Sequence, residues 1–142
     1  MIPRNETVCV IFHHALADKA DVDTIRKWHL ERGWEDIGYH YVICKNGSIQ
    51  PGRALHLEGA HALGRNESSI GVCLEGDFRK YQPSMAQLEA SYRLYDCLCQ
   101  VYGKELEIEF HRSTADQNPC PGKQLNRYRF IALLKRNKLH NG

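Results

Sequence analysis

Two short apolar runs constrain the fold of this chain most. Thr7–Phe12 (TVCVIF) is rich in β-branched residues, and Ser69–Gly76 (SIGVCLEG) is apolar enough to lie centrally in a sheet. Runs this short and this apolar read as buried strands, because a helix needs a longer stretch and a different period. YHYVIC and SIQ flank Lys45-Asn46-Gly47 and predict a β-hairpin, with Asn-Gly supplying the positive φ angles of a tight turn. Leu106–Phe110 (LEIEF) alternates apolar and acidic side chains and predicts a half-exposed strand ending at His111.

Helical signals fall between these runs. Asp21 or Asp23 can cap a helix that places Val22, Ile25 and Trp28 near one face and ends at Gly33. Pro83-Ser84 opens a second, in which Met85, Leu88, Tyr92, Tyr95, Cys99 and Tyr102 recur at three- and four-residue steps up to Gly103. A third is expected from about Leu125 to about Asn137, and Pro51–Asn66 reads mostly as loop. The order β-α-β-β-β-α-β-α predicts an α/β fold, a central mixed sheet flanked by about three helices. With 142 residues and no repeat or linker, residues 1–142 are expected to form a single domain.

Composition removes several functions. A net charge of +2 with scattered Lys and Arg argues against nucleic acid as a partner. No run is long enough to span a membrane, and MIPRNETVCVIF lacks the apolar stretch of a signal peptide. The expectation is synthesis in the cytoplasm, with something else carrying or releasing the protein to any substrate outside. The six cysteines fit no disulfide framework. Five read as reduced core residues, and Cys120, in a loop bounded by Pro and Gly, stands apart.

Eight histidines are many for this length, and their positions matter more than their number. His13 and His14 end one predicted strand, His111 ends another, and Cys120 lies nine positions beyond His111. Strand ends are where such sheets gather their sites. Two imidazoles and a thiolate are good zinc ligands, and three protein ligands leave a fourth position for water, as catalytic sites do. Spacing alone, however, is weak evidence for a metal, since histidines at strand ends are often merely structural.

Four stretches in order carry more weight: IFHHALAD, GWEDIGYHYVICKNGSIQPGR, GAHALGRNESSIGVCLEGDF and EFHRSTADQNPCPG. Together, from about Val8 to about Leu125, they resemble the phage lysozyme-type amidases and the peptidoglycan recognition proteins, zinc enzymes that share one domain. The resemblance implies one catalytic Zn²⁺ on His13, His111 and Cys120, and hydrolysis of the amide between N-acetylmuramic acid and L-alanine in peptidoglycan. It implies that Tyr39, in GYHY, lies beside the zinc-bound water or the scissile carbonyl, where its phenol can donate a hydrogen bond to the oxyanion or help orient the water. By the strand pattern alone Tyr39 would be a core aromatic.

The same resemblance places His61, Arg65 and Asn66 on a loop lining the substrate groove, with Arg53 and Arg65 available to stem-peptide carboxylates. His40 is expected to face the other side of the sheet from Tyr39. Asn118 departs from the pattern: many phage members have lysine two residues before the cysteine, and recognition proteins often have threonine. An asparagine NH₂ could still donate to an oxyanion, without a cation's charge.

Peptidoglycan or a muropeptide is the implied partner of an expected monomer, an endolysin-like enzyme released to the wall by a holin. Two other readings stand beside it: a non-catalytic wall-binding module, which typically loses the cysteine ligand, and a cytosolic muropeptide-recycling amidase, which uses aspartate in its place.

Overall fold

The computed structural model describes residues 1–111 and 120–136. The elements are β1 (Cys9–His14), α1 (Val22–Glu31), β2 (Tyr41–Ile43), β3 (Ile49–Pro51), β4 (Ser69–Leu74), α2 (Met85–Tyr102), β5 (Glu107–Phe110) and α3 (Arg127–Leu134). The five strands form one sheet in the order β3-β2-β4-β1-β5. All neighbours pair parallel except β3, which runs antiparallel to β2 at the edge. This is the expected mixed sheet with three helices.

Why the two apolar runs hold the centre follows from burial. Every residue of β1 and β4 is buried, and the two strands pair along their whole length, Cys9 opposite Ser69 through His14 opposite Leu74. One face, with Val10, Phe12, Ile43, Ile70, Val72, Leu74 and Phe110, packs against Leu94, Tyr95 and Leu98 of α2 and Phe130 and Leu134 of α3. On the other face Val42 and Cys73 meet Ala20, Ile25 and Ile37 beneath α1. Cys9 and Ile11 pack there against Ala62.

The helix ends carry their expected chemistry. Asp21 caps α1 by accepting from the Thr24 N–H at 2.9 Å. Ser84 and Gln87 form a reciprocal capping box on α2, and Gly103 closes it in the left-handed conformation at φ 65°. Gln87 also donates from Nε2 to the carbonyls of Ile43 (3.1 Å) and Glu75 (2.7 Å), which fixes α2 to the ends of β2 and β4.

β1 ends at the two histidines as expected, with His13 and His14 pairing in register with Cys73 and Leu74. Local departures from the expectations have plain causes. In the hairpin only Gly47 has positive φ, at 89°. Gly47 N–H donates to the Cys44 carbonyl at 2.8 Å, Cys44 N–H to that of Ser48, and Asn46 Oδ1 accepts from Ser48 N–H. The loop is therefore a three-residue turn closed by a left-handed glycine, not the two-residue Asn-Gly form. α3 starts later than expected because Asn126 caps it, accepting from Arg129 N–H; Asn137, its expected end, lies outside the described residues. Among the cysteines read as core, Cys9, Cys44, Cys73 and Cys99 are buried, whereas Cys97 is exposed on the outer side of α2.

Candidate metal centre and substrate groove

The parallel pairing of β1 with β5 sets Phe12 opposite Phe110, so the next residues on the two strands, His13 and His111, emerge side by side. Their ring centroids are 4.8 Å apart. Alternation along β1 sends His13 to the face of Cys9 and Ile11, and His14 to the opposite, α2 and α3 face. His14 accepts the Phe78 N–H on Nδ1 at 3.0 Å.

Phe78 in turn holds the segment after Cys120. Its carbonyl accepts from Gln124 N–H at 2.7 Å, and Gly122 lies so close that a Cβ there would stand 2.4 Å from the Phe78 carbonyl carbon. The Cys120 sulfur is thereby brought to the end of β1, where the His14 N–H donates to it at 3.2 Å.

The donor atoms of His13, His111 and Cys120 all lie within 4.8 Å of one another. A tetrahedral ion with bonds of about 2.0 to 2.3 Å would hold such atoms roughly 3.4 to 3.6 Å apart, so closure over an ion takes at most about an ångström of movement. Burial, then the neighbouring His61, His111 and His14, keep the pKa of His13 well below the ordinary imidazole value. It is thus neutral, as a ligand must be. The residues fit a metal.

Tyr39 stands against this group, its ring 5.1 Å from that of His13. Burial and the nearby Cys73 and Cys120 push its phenol well above its usual pKa, so it is a hydrogen-bond donor throughout the working range. A groove of about 290 Å³ opens beside it, lined by Tyr39, His111, Cys120, Leu16, Trp28 of α1 and its C-cap Arg32, among others. Trp28 was legible as a helix-face residue but not as a groove wall. Arg32 lies one turn beyond it on the same side, and that continuation of the α1 face past the core was the available signal.

His61, Arg65 and Asn66 are not among the groove's lining residues. His61 is buried, with Nδ1 2.9 Å from Nε2 of His13. Asn66 Oδ1 accepts from the N–H groups of both His61 and Ala62 at 3.0 Å. Arg65 makes a two-pronged ion pair with Glu109 of β5, which ties the His61 loop to the strand leading into His111. Arg53 is buried and donates to the carbonyls of Ile37, Glu58 and Asp36, so its guanidinium braces the chain. Asn118 lies outside the described residues.

His40 does not face away from this cluster. It precedes β2, so strand alternation does not govern it, and its ring lies 6.0 Å from that of His61. His40 accepts the Gly71 N–H on Nδ1 at 3.0 Å, and its Nε2 donates to the Leu57 carbonyl at 2.7 Å. His29 accepts the Gly38 N–H on Nδ1 at 2.9 Å. Burial lowers both to about 4, against about 6.5 for an exposed imidazole.

Between those values the unfolded chain binds more protons than the folded one, so stability is full above about pH 6.5 and falls as pH drops toward 4. Melting temperatures measured across that window should decline. They should decline less steeply in His40→Asn, which keeps an acceptor for Gly71 but does not titrate. An equal slope in both proteins would count against this account.

Comparison with known proteins agrees with the geometry. Residues 3–123 match the family described as N-acetylmuramoyl-L-alanine amidase. The chain is 35% identical over 134 residues to the endolysin of Escherichia phage T7, spanning 88% of this chain and 87% of that one. Its fold is similar to that of the N-acetylmuramoyl-L-alanine amidase LysC from Clostridium intestinale, with a TM-score of 0.85, 28% identity, and coverage of 92% and 86% of the two chains. It is also similar to a chain in the complex of the peptidoglycan recognition proteins LCa and LCx with tracheal cytotoxin, with a TM-score of 0.82, 26% identity, and coverage of 93% and 86%. This chain belongs to the N-acetylmuramoyl-L-alanine amidase family and is a cell-wall lytic amidase.

Proposed function

We propose that the chain works as a monomeric, zinc-dependent, endolysin-like enzyme that acts on intact wall after release by another factor such as a holin. The carrying observation is the convergence of the His13, His111 and Cys120 donors within 4.8 Å, beside a groove walled by Tyr39. When bound, the ion supplies Lewis acidity toward the amide carbonyl and makes water acidic enough to attack near neutral pH.

The chain's own residues do the rest. The groove beside α1 holds the stem peptide, with Trp28 and Leu16 offering apolar walls. Tyr39, protonated, donates to the oxygen of the scissile carbonyl as negative charge develops there. Water adds to the carbonyl carbon, a proton of that water passes to the amide nitrogen, and the C–N bond breaks. A lactyl carboxylate and a free L-alanine amine remain. Cys120 is a ligand and not a nucleophile, since its sulfur is committed to the metal group. Asn118 is assigned a supporting donor role, and His61, Arg65 and Asn66 hold the ligand strands in place rather than gripping the substrate.

Retention of cysteine as third ligand favours catalysis over simple wall binding, and favours intact wall over soluble recycled fragments. Zinc analysis paired with digestion of purified sacculi tests this reading, with soluble anhydro-muropeptides as the rival substrate. Release of stem peptide from sacculi, lost on chelation and regained with zinc, is expected. Faster turnover of the soluble fragments would make it a recycling enzyme. For Tyr39→Phe, kcat should fall about 10²- to 10³-fold with zinc content unchanged. Asn118→Ala should lower kcat without lowering zinc content, and full turnover in that variant would remove Asn118 from the mechanism.

A further inference from the structure

The hydrogen bonds behind His13 fix where its proton sits. Ser69 Oγ lies 2.6 Å from the Arg65 carbonyl, which cannot donate, so the single hydroxyl hydrogen points there. The same oxygen lies 3.3 Å from His61 Nε2 and can only accept from it. His61 therefore carries its proton on Nε2. The His61 ring is buried against the equally buried His13, with no acid beside it among the described residues to hold a second proton, so it carries one proton only and Nδ1 is an acceptor. That acceptor is 2.9 Å from His13 Nε2, which must then be the protonated nitrogen of the buried His13 ring.

We propose that Ser69 and His61 form a tautomer relay that holds His13 as its Nε2–H form, so that His13 presents Nδ1 to the metal. His61 is thus a positioning residue acting through His13. A metal-bound imidazole usually gives its other N–H to a carboxylate, a carbonyl or water, and here a second neutral imidazole fills that place.

The surroundings are built for this contact. Gly71 and Gly59 leave the space the His61 ring occupies: a Cβ would stand 2.5 Å from its Cγ at Gly71 and 2.6 Å from its Cδ2 at Gly59. Asn66 fixes the His61 main chain, and the Arg65–Glu109 pair fixes the loop against β5. Ser69, at the start of β4, is fully buried and pairs in register with Cys9, so the relay is anchored to the strand that carries His13.

The inference rests on His13 being a metal ligand, and the test separates the two ideas. In zinc-free wild-type protein, two-dimensional ¹⁵N–¹H NMR of the imidazoles should show His13 as the Nε2–H tautomer and His61 likewise. An Nδ1–H tautomer at His13 overturns the relay whether or not zinc binds. By chelator competition, His61→Leu should bind zinc about 10- to 100-fold more weakly. His61→Asn, which keeps an acceptor near the Nδ1 position, should recover most of that loss.

Ser69→Ala, a smaller change should His61→Leu fold poorly, should leave the His61 tautomer mixed and weaken zinc binding in the same direction. Unchanged affinity in both His61→Leu and Ser69→Ala overturns the relay. Failure of the wild-type protein to bind zinc would instead remove the metal reading, and the tautomer measurement would still decide the relay.

Discussion

Cys120→Ser is expected to lower the rate of sacculus digestion by on the order of 10³-fold or more while leaving the fold intact. The sulfur is buried and receives the His14 N–H, and a hydroxyl of similar size can accept the same bond. What serine does not supply is the soft, anionic donor that zinc takes from cysteine. Zinc content should fall with activity, and the circular dichroism spectrum and melting temperature of the metal-free variant should match those of metal-free wild type. Wild-type turnover by Cys120→Ser at full zinc occupancy would show that the third ligand lies elsewhere. Chelation of the wild-type protein should reproduce the loss and added zinc should reverse it. Serine cannot be rescued that way at ordinary zinc concentrations, and this contrast separates a missing ligand from damaged protein.

Gly71→Ala should have the next largest effect, although residue 71 touches neither substrate nor metal. The new methyl would meet His61 Cγ, Cδ2 and Nδ1 at 2.5, 2.6 and 2.8 Å, so the ring must leave its seat. Overpacking of a buried strand costs about 1 to 3 kcal/mol, and loss of the His61 contact loosens His13 as well. Thermal or urea unfolding should show that loss, with zinc affinity falling alongside. In a His61→Ala background the methyl has room, so Gly71→Ala should cost far less there than in wild type, giving a coupling energy well above the few tenths seen for independent sites. Additive penalties would mean that the methyl clashes with something other than the imidazole.

Much of this architecture was legible from residue order. The apolar runs identified β1 and β4, the periodic stretch beginning at Ser84 identified α2, and the acidic alternation identified β5, because burial forces these patterns on the local sequence. The hairpin was found but its turn type was not, since Asn46 and Gly47 permit more than one turn and the closing pair of Cys44 with Ser48 selects one. Motif resemblance singled out His13, His111 and Cys120, which the fold brings together, and spacing alone could not choose between His13 and His14. Their roles diverge because adjacent residues of a strand point to opposite faces, one toward His111 and the other toward Phe78.

By itself, the order of amino acids determined the mixed sheet, its three helices and the residue types able to hold a metal. Periodicity and side-chain chemistry are local properties, and a sequence displays them directly. Only the tertiary structure decided that Arg65 closes on Glu109, that Arg53 braces main-chain carbonyls, that α1 and its C-cap lend Trp28 and Arg32 to the groove, and that His61 stands behind His13. Those are contacts between segments tens of residues apart, selected by how strands register and how a loop without regular structure folds over them. No local pattern encodes such a choice, because the same side chains could satisfy their hydrogen bonds equally well with water or with another partner.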